Sequence, residues 1–227
     1  MNLLALDTCT ENCSAALLIE GQVFAVSEMT QRGHSERILG MLDTLFEQAG
    51  SELSAMDALV FGRGPGSFTG VRVGVAVAQG IAFAQDLPVV PVSTLATVAQ
   101  AAYAKHGVTN ICVAMDARMG EVYQADFVIE NGLAVALSEE QVTAPAKVKP
   151  LDDRHCFGAG TGWAEYQQIL TDNFAEQSLG MDNEIYPSAE AMLPLAGALL
   201  AKGKQMLAHQ ALPIYLRNNV AKKKGEQ

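Results

Sequence analysis

The chain contains 227 residues, of which 49% are hydrophobic and 18% are charged, and its formal net charge is −10. This composition supplies ample apolar material for a core and suits one or two globular domains. A protein that grips a nucleic-acid backbone by itself usually carries a basic face, so the negative charge argues against independent RNA or DNA binding. The basic cluster Lys222, Lys223 and Lys224 is interpreted as a solvated tail.

Targeting and metal-binding signals are weak in this sequence. No window of about 18 apolar residues lacks a polar break, and no basic region precedes Asp7, so we expect a cytoplasmic protein without a membrane span. Four cysteines are few for this length and are expected to be free thiols. Cys9, Cys13 and His34 lack a paired CxxC or HxxxH motif, so we predict neither a metal site nor a cofactor.

The first half opens with a predicted β-hairpin. Residues 4–8 form an apolar strand that ends at Asp7, and residues 14–19 form a second strand. The sequence Glu-Gly at residues 20–21 tolerates the positive φ that a tight turn into a third strand requires. A further apolar strand leads into FGRGPG at residues 61–66.

The second half repeats this order. Residues 113–117 form an apolar strand with Asp116 near its end, residues 122–129 form the next strand, and Glu-Asn-Gly provides the turn at residues 130–132. The sequence FGAGTG at residues 157–162 then matches the first glycine turn, 96 residues earlier. Matching landmarks in the same order predict a duplicated fold whose second copy is trimmed.

Helices are predicted between these landmarks from the spacing of apolar residues. The four helices span residues 34–49, 69–86, 93–105 and 188–202. The apolar stripe of the first helix is wide for a helix that touches one core. Two readings stay open for this stripe: ordinary burial, or contact with a second protein.

The first glycine turn does not match the usual nucleotide motifs. A P-loop would end in Gly-Lys-Ser/Thr, but Val71 follows Gly70 and no lysine occurs before Lys105. Two readings of the turn stay open. It is either a tight strand-to-helix connection with an N-cap at Ser67 or Thr69, or an anion site at the helix N-terminus. The candidate anion contacts are Gly64, Gly66, Ser67, Thr69 and Gly70.

The two aspartates suggest the actin, sugar kinase and Hsp70 ATPase fold (ASKHA, ribonuclease H-like). In that fold each duplicated half opens with a hairpin whose glycine-bearing turn approaches the phosphates closely. Here the first turn, residues 8–12, has no glycine, and both turns carry an acid, Glu11 and Glu121. A negative side chain beside a triphosphate is unfavourable. We therefore predict an α/β protein with two mixed-sheet lobes, residues 1–108 and 109–227, that has lost the ATP chemistry. The C-terminal segment is expected to pack back on the first lobe.

Two enzymatic alternatives are weighed against this reading. Ser35 beside His34 suggests a hydrolase, but the sequence has neither a GxSxG elbow nor an HExxH motif. A free-standing kinase or ATPase would need a P-loop lysine and a first hairpin turn that contains glycine, and both are missing. We predict no catalytic residue in this chain.

A set of motifs spread over residues 3–217 resembles the TsaB (YeaZ) family. These motifs are LALDT at residues 4–8, GHSE at 33–36, GRGPGSFTGVR at 62–72, MDARMGEVY at 115–123 and PIYLR at 213–217. The resemblance implies a bacterial accessory subunit of the machinery that makes N6-threonylcarbamoyladenosine in tRNAs that read codons beginning with adenine. Relatives of this family were once labelled glycoproteases. The alternative function is therefore a protease that acts on its own paralogue.

The resemblance also implies partners. TsaD, the catalytic paralogue, transfers the threonylcarbamoyl group, and TsaE is an ATPase. TsaB-like proteins form homodimers when alone, and tRNA is reached only through the complex. The metal-binding histidine pair of TsaD falls here on Thr94 and Val98, so no metal is expected. We predict a partner interface on the helices over residues 34–49 and 69–86. Its residues are Ile38, Leu39, Met41, Leu42, Leu45, Phe46, Val73 and Val77.

Overall fold

The computed structural model of the protein describes residues 1–217, so the lysine cluster at residues 222–224 lies outside the described part. The strands are β1 (Leu3–Asp7), β2 (Asn12–Ile19), β3 (Gln22–Met29), β4 (Ala58–Gly62), β5 (Val89–Val92), β6 (Asn110–Asp116), β7 (Val122–Glu130), β8 (Leu133–Ala136), β9 (Gln141–Thr143), β10 (Cys156–Ala159) and β11 (Ser178–Asp182). The helices are α1 (His34–Ala49), α2 (Phe68–Ala84), α3 (Thr94–His106), α4 (Gly162–Glu165), α5 (Gln167–Asn173) and α6 (Ala189–Ala201).

Two sheets share one topology. The first sheet has the order β3-β2-β1-β4-β5, and the second has the order β8-β7-β6-β10-β11, with β9 paired to β7 in addition. In each sheet the first three strands of the lobe are antiparallel, and the next two join in parallel. The predicted duplication and the ASKHA-like α/β fold are therefore confirmed.

The elements stack in five layers. Alternate side chains of β1 point to opposite faces of the first sheet, as the pleat requires. Leu4 and Leu6 pack in one cluster with α1 and α2. Leu3 and Ala5 pack on the other face against α6. Helix α3 lies against the inner face of the second sheet, and α4 and α5 cover the outer face.

Capping residues determine where the helices begin and end. Helix α1 spans the predicted residues and ends at Gly50, whose φ of 56° is left-handed. The hydroxyl oxygens of Ser67, Ser93 and Ser188 accept hydrogen bonds from the backbone amides three residues later and begin α2, α3 and α6. The observed ends of these three helices differ from the predicted ones by no more than two residues.

The predicted lobe boundary at residues 108–109 falls between α3 and β6. Helix α6 lies near the C-terminal end of the chain but packs on the first sheet, where it contacts β1, β2 and β5. Within residues 1–217, none of the helices is long and apolar enough to cross a membrane.

Candidate functional site

The first glycine turn connects β4 to α2 and packs directly on the first hairpin turn, residues 8–11. The amide of Ser67 donates to the carbonyl oxygen of Cys9 at 2.7 Å. A Cβ atom on Gly66 would collide with the same carbonyl oxygen, and a Cβ atom on Gly70 would collide with that of Thr8. These glycines therefore allow two segments of the chain itself to approach closely.

The N-terminus of α2 is capped and partly covered by the chain. The Ser67 hydroxyl accepts from the Gly70 amide at 3.3 Å, which agrees with the N-cap reading. Gly64 has a φ of 95°, and the carbonyl oxygen of Ile214 lies where a Cβ atom of Gly64 would point. Thr69 is exposed. Anion binding by these five residues stays a prediction.

Asp7, the aspartate that ends β1, is completely buried. Its Oδ1 atom accepts a hydrogen bond from the Cys9 amide at 2.8 Å, whereas Oδ2 has no hydrogen-bond partner. Burial raises the pKa of this carboxyl from 3.8 to about 6, although the hydrogen bonds from Cys9 oppose the shift. An aspartate in this position does not face an open cleft.

Asp116, the matching aspartate of the second lobe, is held by its own hairpin turn, residues 117–121. Its Oδ1 atom accepts from the Arg118 amide at 2.9 Å and from the Tyr166 hydroxyl at 3.3 Å. Its Oδ2 atom forms an ion pair with the Arg118 guanidinium at 3.0 Å. These bonds engage both carboxylate oxygens of Asp116.

The two hairpin turns face each other across the lobes and are joined by an ion pair. The Arg118 guanidinium lies 3.2 Å from the Glu11 carboxylate. In an ATPase of this fold the space between these turns holds the phosphates. Here Glu11 and Arg118 lie between the two turns. A triphosphate bound there would displace the Arg118 side chain and lie close to the Glu11 carboxylate, which would repel it.

The structure also shows the surroundings of His34 and Ser35, the residues that suggested a hydrolase. The Nε2 atom of His34 lies 2.9 Å from the carbonyl oxygen of Thr10, so that backbone contact engages the ring nitrogen. Ser35 is exposed at the start of α1. Within residues 1–217, no group of three or more His, Cys, Asp or Glu side chains could hold a metal ion. Thr94 and Val98 are both buried in α3.

Comparison with known proteins decides the family. A family model described as "TsaD: tRNA N6-adenosine threonylcarbamoyltransferase" matches residues 25–225. The chain is 43% identical to tRNA threonylcarbamoyladenosine biosynthesis protein TsaB of Haemophilus influenzae, over 99% of this chain and 97% of the relative. It is 44% identical to the Escherichia coli protein of the same name, over 99% of this chain and 98% of the relative. The chain belongs to the TsaB (YeaZ) family.

A solved structure agrees with this assignment to the TsaB family. The structure of YeaZ from Pseudomonas aeruginosa superimposes with a TM-score of 0.89 at 45% identity and covers 95% of this chain and 99% of that one. The resemblance that the sequence motifs indicated is therefore confirmed. The match to the TsaD model adds that this TsaB-family chain is related to the transferase.

The predicted interface residues divide into two groups in this TsaB-family chain. One group lies inside the first lobe, packed on its sheet, and so is not on the surface of the free chain. Its members are Ile38, Met41, Leu42 and Leu45. In the other group, Leu39 is 50% exposed, while Phe46, Val73 and Val77 are partly buried. Ordinary burial thus accounts for the core-facing part of the wide stripe of α1.

Two exposed apolar residues of α2, Phe68 and Phe83, were not predicted. Phe83 is 82% exposed near the C-terminal end of the helix. The sequence shows that α2 is apolar nearly all round, and this pattern could have indicated a second apolar face. Leu39 and Phe83 are the strongly exposed large apolar side chains of α1 and of the C-terminal half of α2 within the described residues.

Proposed function

We propose that this chain is a non-catalytic subunit that works with a TsaD-type paralogue to form N6-threonylcarbamoyladenosine in tRNAs that read codons beginning with adenine. The observation that carries the proposal is the similarity to TsaB proteins over nearly the full length. The name of these relatives assigns them to tRNA threonylcarbamoyladenosine biosynthesis. The match to the TsaD family model supports the relation to the transferase.

The geometry of the cleft supports a non-catalytic role. Asp7 is buried, Asp116 is engaged by Arg118, and Glu11 lies in the space that phosphates would occupy. Each change removes a feature that an ATPase of this fold uses. The chain then contributes by binding, and it raises the population of the active state of its partner if it binds that state more tightly.

The partner surface is proposed on the outer faces of α1 and α2. Leu39 and Phe83 are exposed there, and Val73 and Val77 are partly exposed. Partly apolar helix faces suit a related lobe that presents helices of its own. We propose that the TsaD-type paralogue binds this surface, that the homodimer forms when the paralogue is absent, and that a TsaE-type ATPase joins the pair. Because the chain has a net charge of −10, we propose that other subunits bind the tRNA backbone.

The function is tested by depletion. Cells depleted of this chain are expected to lose the modified nucleoside from tRNA, as measured by mass spectrometry of digested tRNA, and a plasmid copy is expected to restore it. Asp116→Asn is expected to restore it as well, because the proposal gives that carboxylate no catalytic role. Unchanged modification after depletion, or failure of a folded Asp116→Asn variant, would contradict the proposal.

Leu39→Glu is expected to weaken binding to the TsaD-type paralogue by at least about tenfold, which is about 1.4 kcal/mol. The substitution places a charge on an apolar contact and leaves the core intact, because Leu39 is 50% exposed. Binding is measured by calorimetry with purified proteins, and thermal unfolding checks the fold. Leu42→Glu would not test the surface, because its side chain lies in the core.

Ile169→Glu is the matched control for this test. Ile169 is 42% exposed on α5, at the outer face of the second lobe. The proposed surface does not include α5, so this variant is expected to bind the paralogue normally. Normal binding by a folded Leu39→Glu variant would show that the surface lies elsewhere.

A further inference from the structure

Residues 211–217, called the strap below, run along the first lobe and end on the second. The Gln79 side chain donates from α2 to the carbonyl oxygen of Ala211 at 2.8 Å. The amide of Ile214 then donates to the carbonyl oxygen of Arg63 at 2.8 Å. Tyr215 packs beside Phe68 with the ring centroids 6.0 Å apart. These contacts hold the strap on the glycine turn and the start of α2.

The last residue of the strap reaches the second lobe. The Arg217 guanidinium forms an ion pair with the Glu121 carboxylate at 2.5 Å and donates to the carbonyl oxygen of Arg118 at 3.4 Å. It also approaches the Met119 sulfur at 3.5 Å. The Arg217 side chain is 17% exposed, so solvent screens this ion pair less than a fully exposed one. One arginine therefore contacts three residues of one hairpin turn.

That hairpin turn has an unusual backbone. Arg118, Met119 and Gly120 have φ angles of 61°, 59° and 77°, so three consecutive residues are left-handed. A non-glycine residue in this region costs of order 1 kcal/mol or more, and it persists where surrounding contacts hold it. Backbone hydrogen bonds within the turn, from the Ala117 amide to the Glu121 carbonyl oxygen and from the Glu121 amide to the Arg118 carbonyl oxygen, help to hold this conformation. Further contacts come from Asp116, within the lobe, and from Arg217, on the strap.

The same turn also carries one of the ion pairs that cross between the lobes. Arg118 bonds to Arg217 through its carbonyl oxygen and to Glu11 of the first lobe through its guanidinium. A change of backbone conformation at Arg118 would move both groups together. The strap, the strained turn and the Glu11–Arg118 ion pair are thus mechanically connected.

We propose that the strap is an interlobe latch: Arg217 helps to hold the second hairpin turn in its strained conformation, and the turn in that conformation joins the hairpin ends of the two lobes through Arg118 and Glu11. Release of Arg217 relaxes the turn, withdraws the Arg118 guanidinium from Glu11 and lets the lobes separate at the hairpin end. This device is a property of the isolated chain and holds whether or not the chain takes part in tRNA modification.

Arg217→Met tests the latch, because methionine retains apolar bulk and removes all the guanidinium contacts. In hydrogen-exchange measurements on the full chain, the amides of Ile214 and Ala117 are expected to exchange at least about tenfold faster than in the parent. Ala117 reports on the turn because its amide donates to the carbonyl oxygen of Glu121. Spin labels at Thr44→Cys on α1 and Gln168→Cys on α5 are expected to show a broadened interlobe distance.

Arg154→Met is the matched control. Arg154 pairs with Asp152 two residues away in the same lobe, and both side chains are exposed. This variant is expected to leave the exchange of Ile214 and Ala117 and the interlobe distance unchanged. Glu121→Gln serves as a second test variant if Arg217→Met does not fold, because it removes the charged acceptor and leaves the strap intact.

The measurements distinguish a strap that holds the second hairpin turn and the lobes from a strap that only packs on the first lobe. Faster exchange at Ile214 alone, with Ala117 and the interlobe distance unchanged, would overturn the proposal, and so would no change at either amide. Faster exchange at both amides with a broadened distance supports it. Adding Glu11→Gln to Arg217→Met should then broaden the distance little further, because the first change has already broken that ion pair.

Discussion

Gly70→Ala is expected to lower the free energy of unfolding by about 3 kcal/mol or more, the upper range for an overpacked site. The new Cβ atom would overlap the backbone carbonyl oxygen of Thr8. That oxygen belongs to the hairpin turn on which the glycine turn rests, so it cannot move away without displacing β1 or α2. The effect is steric, since Gly70 lies within α2 and has helical backbone. Urea unfolding followed by circular dichroism measures the loss.

Gly80→Ala is the control within the same helix. Nothing lies within 4 Å of a Cβ atom at Gly80, and the residue is exposed. Alanine is expected to raise the free energy of unfolding by about 0.5–1 kcal/mol, because it restricts the unfolded chain and favours helix. Equal effects at the two glycines would show that the close approach of α2 to the first hairpin turn is not what Gly70 provides.

The secondary structure could be predicted well because its signals are local. Helix α1 spans residues His34–Ala49, as the spacing of its apolar residues predicted. The glycine after it and the serines before α2, α3 and α6 mark the ends by cap chemistry. The duplication was also visible, because Asp7 and Asp116 end equivalent strands in the two sheets.

It was harder to predict which side chains face the core and which face solvent. Ile38 and Leu39 are neighbours of similar hydrophobicity, yet the first is buried and the second is 50% exposed. The difference depends on how α1 rotates against the first sheet, and a wide apolar stripe does not define that rotation. For this reason four of the eight predicted interface residues lie in the core.

The charged contacts of the cleft could not be read from the sequence at all. Arg217 and Glu121 are 96 residues apart, and Glu11 and Arg118 are 107 residues apart. Neither spacing carries a local signal, because the fold alone brings these residues together. The acids in the hairpin turns were visible in the sequence, but the pairing of Glu11 with Arg118 was not.

Relative to the parent, Asp7→Asn is expected to gain stability as the pH rises from about 4 to about 7, by roughly 2 kcal/mol over that interval. Burial raises the pKa of Asp7 from 3.8 to about 6 in the folded protein. Between these values the folded state binds the proton that the unfolded state has released. The parent therefore loses stability as the pH rises through the folded pKa, and asparagine, which does not titrate, avoids this loss.

The pH dependence is the decisive quantity in this experiment. The stability difference at a single pH also contains the cost of burying the new amide group near Oδ2, which has no partner in the parent. That cost does not vary with pH, so urea unfolding of both proteins from pH 4 to 8 isolates the titration of Asp7. A difference that stays constant over this range would mean that the carboxyl is not desolvated.

Asp152→Asn provides a control of opposite sign. Arg154 lowers the pKa of the exposed Asp152 carboxyl through hydrogen bonds. A lowered folded pKa contributes stability above the unfolded pKa, and this contribution is lost as the pH falls. The Asp152→Asn variant should therefore be slightly less stable than the parent at neutral pH and approach it in acid. Opposite trends for the two substitutions would identify the buried carboxyl beneath the glycine turn, rather than loss of negative charge in general, as the source of the Asp7 effect.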